Sequence, residues 1–76
     1  MATHLKYTKA VVRMLRNQAS NAFFTGSGWS RDPMMAKLFT DLFDAAKACV
    51  QHQLAGVELV VRAEPDGADL FQLPLR

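Results

Sequence analysis

The chain has 76 residues, half of them hydrophobic, with nine Lys/Arg against seven Asp/Glu, a net charge of +2 and a single cysteine, Cys49. These numbers exclude a disordered chain and an internal disulfide, and no apolar run approaches the roughly 20 residues that span a bilayer. They allow one domain over residues 1–76, near the size at which a single core only just suffices, so association has a raised prior.

Other classes fall away on residue spacing. His4 and His52 lie far apart, and no Cys/His spacing matches a zinc site, so neither a metal nor another cofactor is expected. The first seven residues lack the apolar core of an export signal, which makes a cytoplasmic location the expectation. Charge is uneven: residues 1–39 carry six basic side chains against one acidic, and residues 40–76 carry three against six. Such a split marks either a basic face or two halves that pair with each other, and the second is the simpler reading.

The N-terminal third admits two patterns. Leu5, Thr8, Val12, Leu15, Ala19 and Ala22 have helical spacing. Equally, Tyr7 to Leu15 reads as a strand with Val11, Val12 and Leu15 half-buried, followed by a polar turn over Asn17 to Asn21 and a returning strand at Ala22 to Thr25. The turn-rich Asn17–Asn21 stretch and the poor helix propensity of Phe23-Phe24-Thr25 argue for strands.

Gly26-Ser27-Gly28 then forms a loop. It fails the dinucleotide fingerprint, because Arg31 stands where a third glycine is needed, and no Gly-Lys-Ser/Thr of a Walker loop follows. Asp32-Pro33 is an N-cap followed by a proline suited to the first helical position. Met34 to Phe39 would make one or two turns, with Met35, Ala36 and Phe39 facing inward.

The clearest helix runs from about Asp41 to Leu54. Leu42, Phe43, Ala46, Cys49, Val50, Gln53 and Leu54 share one side and predict its buried face. Thr40 is the expected N-cap and Gly56 the expected left-handed C-terminal cap. Val57 to Ala63 alternates as a strand with Val57, Leu59 and Val61 on one face. Glu64-Pro65-Asp66-Gly67 is a turn, and Asp69 to Leu75 returns as a second strand that Pro74 confines to a sheet edge.

The stretch Gly26-Ser27-Gly28-Trp29-Ser30-x-Asp32-x-x-x-Ala36-x-x-Phe39 resembles a loose group of small bacterial and phage proteins of unassigned function. Their pattern is a strand ending in Gly-x-Gly-Trp-Ser/Thr, an Asp, then Ala-x-x-Phe and an amphipathic helix. The resemblance covers Phe23 to Leu54. It implies a β-β-α-β arrangement and supports strands near the N-terminus. It carries no activity and no catalytic residues.

The expected fold is therefore α+β, a three- to four-stranded antiparallel sheet in β-β-α-β-β order with one helix on one face. The opposite face, with some of Val11, Arg13, Phe24, Val60 and Phe71, is expected to be open and partly apolar. Such a face often marks an interface. The functional expectation is a small non-enzymatic binding or assembly module, with a protein partner or a second copy of itself. The alternative is a nucleic-acid-binding accessory protein that uses the basic N-terminal half, with aromatics as a stacking platform. The candidate contact residues are Trp29, Arg31, Arg13, Lys9 and Phe24. Ser20, Ser27 and Ser30 have no clear acid or histidine partner, and Cys49 on the apolar side of the helix reads as a core thiol.

Overall fold

The computed structural model describes residues 10–76. Its five strands are β1 (Val12–Asn17), β2 (Phe23–Phe24), β3 (Trp29–Ser30), β4 (Val57–Arg62) and β5 (Asp69–Pro74), with one helix, α1 (Leu42–Gln51), between β3 and β4. All neighbours pair antiparallel, in the spatial order β3-β2-β1-β4-β5. The α+β class is as expected. The strand count is not: five strands stand where three or four were expected, because Trp29 and Ser30 pair with Phe24 and Phe23 instead of lying in a loop.

The N-terminal ambiguity resolves toward strands for the described part, while Tyr7 and its predecessors lie outside it. Asn17 Oδ1 accepts from the backbone N–H of Ala19 and Ser20. Asn21 adopts φ 63°, and the Asn17 N–H donates to the Ala22 carbonyl at 2.8 Å. Asparagine serves here because its short amide mimics a backbone turn and it tolerates the left-handed region. The next hairpin turns at Gly26, whose φ of 103° suits glycine.

Asp32 caps a single 3-10 turn, Pro33–Met35, through Oδ1 on the Met34 N–H at 2.9 Å. The chain then runs along the sheet edge beyond β2. Lys37 N–H donates to the Phe24 carbonyl, and Phe39 N–H to that of Arg13. Phe39 is buried and Ala36 half-buried as expected, but Met35 is exposed because the turn ends too soon to bring it inward.

Helix α1 starts one residue later than its expected cap. Asp41, not Thr40, accepts the Asp44 N–H, at 2.8 Å, while Thr40 Oγ1 donates to the Asp44 carboxylate. It ends before Gly56. Gln53 takes the left-handed position at φ 53°, with Leu54 N–H on the Cys49 carbonyl and Gln53 N–H on that of Val50. This is the Schellman arrangement, and it folds Leu54 back into the core.

The larger correction concerns the face of α1. Its buried residues are Ala45, Ala48 and Cys49, while Leu42, Phe43 and Val50 are exposed. Small side chains let the helix lie close on the sheet, and the bulky stripe is turned outward. Beneath it, Leu15, Phe24, Val57 and Leu59 build the main core, flanked by Val61, Leu73 and Leu75.

The opposite sheet face is also not as expected. Cross-strand pairing puts Arg13, Phe24 and Phe71 on the helix side. The opposite face instead holds Met14, Phe23 and Val60, all buried, with Val12 and Ala36 packed against them. Because both faces are covered there, Val57, Glu58, Leu59 and Val60 are all buried, and β4 is the central strand in packing.

Charges close that second cluster. Arg16 bonds Glu58 and Asp69 at 2.8 and 2.9 Å, and Arg62 bonds Asp69 at 2.8 Å and the Pro65 carbonyl at 2.6 Å. The guanidiniums of Arg16 and Arg62 lie 6.0 and 5.1 Å from the Phe23 ring centroid. Burial alone would raise the Asp69 carboxyl; hydrogen bonds from Arg16, Arg62 and Gln72 outweigh it and hold Asp69 below the ordinary carboxylate range. Arg16 and its two acidic partners join the basic N-terminal half to the acidic C-terminal half, which is where the charge split goes.

Two outcomes follow. Gln53→Gly should raise stability by about 1 kcal/mol by relieving the left-handed cost of a side-chain residue, read as a higher urea midpoint. Asp69→Asn should cost about 2 kcal/mol at neutral pH by weakening charge-assisted bonds. Because the folded-state value of Asp69 lies below its unfolded one, its contribution is present above about pH 4. It disappears as pH falls through the depressed value, so wild-type midpoints should drop more steeply below pH 4 than those of Asp69→Asn.

Candidate functional site

Of the expected contact residues, one is buried in the core. Phe24 is core, 3% exposed, and Trp29 sits edge-on to it at 5.6 Å between ring centroids, 43% exposed. The His52 ring also packs on Phe24, 5.0 Å between ring centroids. Any contact at this corner is therefore made by Trp29, with Phe24 behind it. Arg31 is exposed in the loop after β3. Arg13 is half-buried and donates to the Thr40 carbonyl at 2.9 Å, tying β1 to the start of α1. Lys9 lies outside the described residues.

The glycine loop is not shaped as a phosphate cradle. Thr25 Oγ1 accepts from the N–H of Gly28 at 3.0 Å and of Ser27 at 3.4 Å. Donors used inside the loop are not aimed at a ligand.

An open apolar surface lies elsewhere, on the outer side of α1. Phe43 is 72% exposed and Val50 68%, with Leu42 at their side and Ala46 between them. Lys47 folds its Nζ over the Phe43 ring at 5.6 Å. Next to this stripe, Ala46, Cys49, Val50, Leu75 and Arg76 line a groove of about 460 Å³ between α1 and the end of β5. Burial raises the Cys49 thiol, against the lowering pull of Arg76, so it remains a protonated, weakly polar wall of that groove. Along the helix-side face, Phe71 is more than half exposed and Leu73 and Leu75 partly so. Met34, Met35 and Leu38 form further exposed apolar surface at the 3-10 corner.

Of these residues, Leu42, Phe43, Val50 and Met35 are read inward from the sequence, whereas Phe71 is expected on an open face and is indeed exposed. The signal that could have placed them is the width of the apolar arc. Ala48, Ala45, Cys49, Leu42, Ala46, Val50 and Phe43 together cover over half the helix circumference, more than one sheet contact uses. With small residues on one side and bulky ones on the other, only the small side packs on the sheet.

Among the described residues, no group of three or more His, Cys, Asp or Glu side chains is placed to hold a metal ion, and no helix is long and apolar enough to cross a membrane. Comparison of the chain with protein-family models, curated proteins and solved structures finds no match.

The roles of the two aromatic neighbours can be separated by substitution. Phe24→Ala should cost about 3–5 kcal/mol, as for a ring removed from a packed core. Trp29→Ala should cost about 1 kcal/mol, the scale of one edge-on aromatic contact. Urea unfolding followed by far-UV circular dichroism reads both.

Proposed function

We propose that this chain is a non-enzymatic binding or assembly module whose working surface is the outer stripe of α1 with the adjoining groove beside β5. One observation carries the reading: Phe43 and Val50, 72% and 68% exposed, lie on a helix that already packs its small residues on the core. Each Å² of apolar surface left in water forgoes about 25 cal/mol, and monomers rarely expose contiguous apolar patches beyond a few hundred Å². The groove continues this stripe toward Leu75, giving a ridge and an adjacent recess of the kind that receives an amphipathic helix.

The alternative, a nucleic-acid-binding role for the basic half, has weaker support in this geometry. Arg16 is engaged by Glu58 and Asp69, and Arg13 by the Thr40 carbonyl. The Arg16 charge is thereby already balanced and is not free to displace counterions from a phosphate backbone.

The test places a photoreactive p-benzoylphenylalanine at Phe43, and separately at Gln51 on the polar side of α1, in the native host. Adducts are expected from position 43 and not from position 51. Equal labelling from both positions, or none from either, would remove this surface as the working one.

A further inference from the structure

We infer that the occupant of this surface is an amphipathic helix of another protein whose apolar stripe is bordered by acidic side chains. The inference rests on the reading of the outer α1 stripe as the working surface, and names the chemistry of what covers it.

Charge points to that chemistry. Two cations border the apolar surface, one on each side. Lys47 lies about 40° around α1 from Phe43, on the side away from Ala46, and holds its Nζ 5.6 Å from the Phe43 ring centroid. On the other side, Arg76 lines the groove with Ala46, Cys49, Val50 and Leu75. Its Nη1 donates to the Cys49 carbonyl at 3.4 Å, a long bond for a group with five donors. Neither cation forms an ion pair among the described residues, where the ion pairs belong to Arg16 and Arg62.

No acid within the surface offsets them. Among the described residues, the groove lining includes no carboxylate. Asp41 and Asp44 stand at the start of α1 and are engaged there. Asp41 Oδ1 accepts the Asp44 N–H, and the Asp44 carboxylate accepts the Thr40 hydroxyl. The apolar stripe is thus bracketed by positive charge, and an occupant with acids beside its own apolar residues meets that charge on both sides. Rim charges of this kind speed encounter and reject partners of like sign.

Shape selects a helix among acidic occupants. Phe43 and Val50 form a ridge, 72% and 68% exposed, and the groove beside it is a recess of about 460 Å³. An amphipathic helix presents side chains at i, i+3, i+4 and i+7, so it can enter the recess and pack along the ridge together. A flat lipid surface covers the ridge and leaves the recess unfilled. A second copy of this chain brings Lys47 and Arg76 again where acids are needed.

The experiment is fluorescence anisotropy on the full chain with two labelled helical peptides of about 18 residues. Both carry a Leu stripe at helical spacing; Glu borders it in the first and Lys in the second. The Glu-bordered peptide should bind about tenfold more tightly or better, by a margin that narrows as salt rises. Lys47→Glu combined with Arg76→Glu should invert the preference, a result that loss of folding does not produce. Equal binding of the two peptides, binding of neither, or a preference unmoved by the double variant overturns the inference. So does a dimer of this chain in sedimentation velocity that excludes the Glu-bordered peptide, or capture on phosphatidylglycerol vesicles in its place. The two readings separate. Adducts from position 43 together with peptides that bind alike sink the acidic partner and leave the docking surface standing. No adducts and no peptide binding sink both.

Discussion

A helix about 10 Å across cannot cover a sheet whose outer strands lie about 19 Å apart. That mismatch of widths governs this fold. Helix α1 must choose which strands to shield, and its small residues let it lie close over β1 and the Phe24 side of the core. The β5 side of the same face keeps only its own side chains, with Phe71 open and Leu73 and Leu75 half-covered. The opposite face is closed by different means, through Ala36 and the two guanidiniums over Phe23. Thus α1 shields one half of one face, and apolar surface is left along the outer side of α1 and the strand beside it.

Much of this was legible in the residues. The Asn17–Asn21 turn, the Asp32-Pro33 helix start, the Glu64–Gly67 turn and the edge position of the strand containing Pro74 each follow from one residue's stereochemistry, and each is found. Local chemistry decides such features, so distance in the chain does not obscure them. The cap of α1 slipped by one residue because Thr40 and Asp41 are both competent acceptors, and only the path of the chain selects between them. The C-cap moved from Gly56 to Gln53 because Leu54 had to reach the core. There, tertiary burial outweighed the local preference for glycine.

The harder failures concern facing. An amphipathic pattern identifies an apolar side but not what it packs against. Leu42, Phe43 and Val50 gave the strongest apolar direction, and a core was the natural destination. Ala45 and Ala48 carried less weight on any hydrophobicity scale, yet close packing on a sheet selects for their size. The same limit applied to the sheet. Val57–Arg62 alternates only weakly, and the burial of Glu58 depends on Arg16, 42 residues away. The short strand Trp29–Ser30 gave no periodicity at all, since two residues cannot show one. The basic and acidic halves were visible as totals, but not that Arg16, Glu58, Arg62 and Asp69 would converge.

The register of β1 on β4 has a kinetic consequence. Arg16 pairs with Glu58, and the remaining pairs of this ladder also span the whole of β2, β3 and α1. The central ladder therefore forms only after a long segment has been closed into a loop, a cost in chain entropy met before the contact rewards it. Hairpins β1–β2 and β4–β5 can each form early, from neighbours in sequence, but neither has a complete face alone. The β1–β4 ladder is therefore the long-range contact of this fold, and the Arg16–Glu58 pair lies on the seam where its two hairpins join.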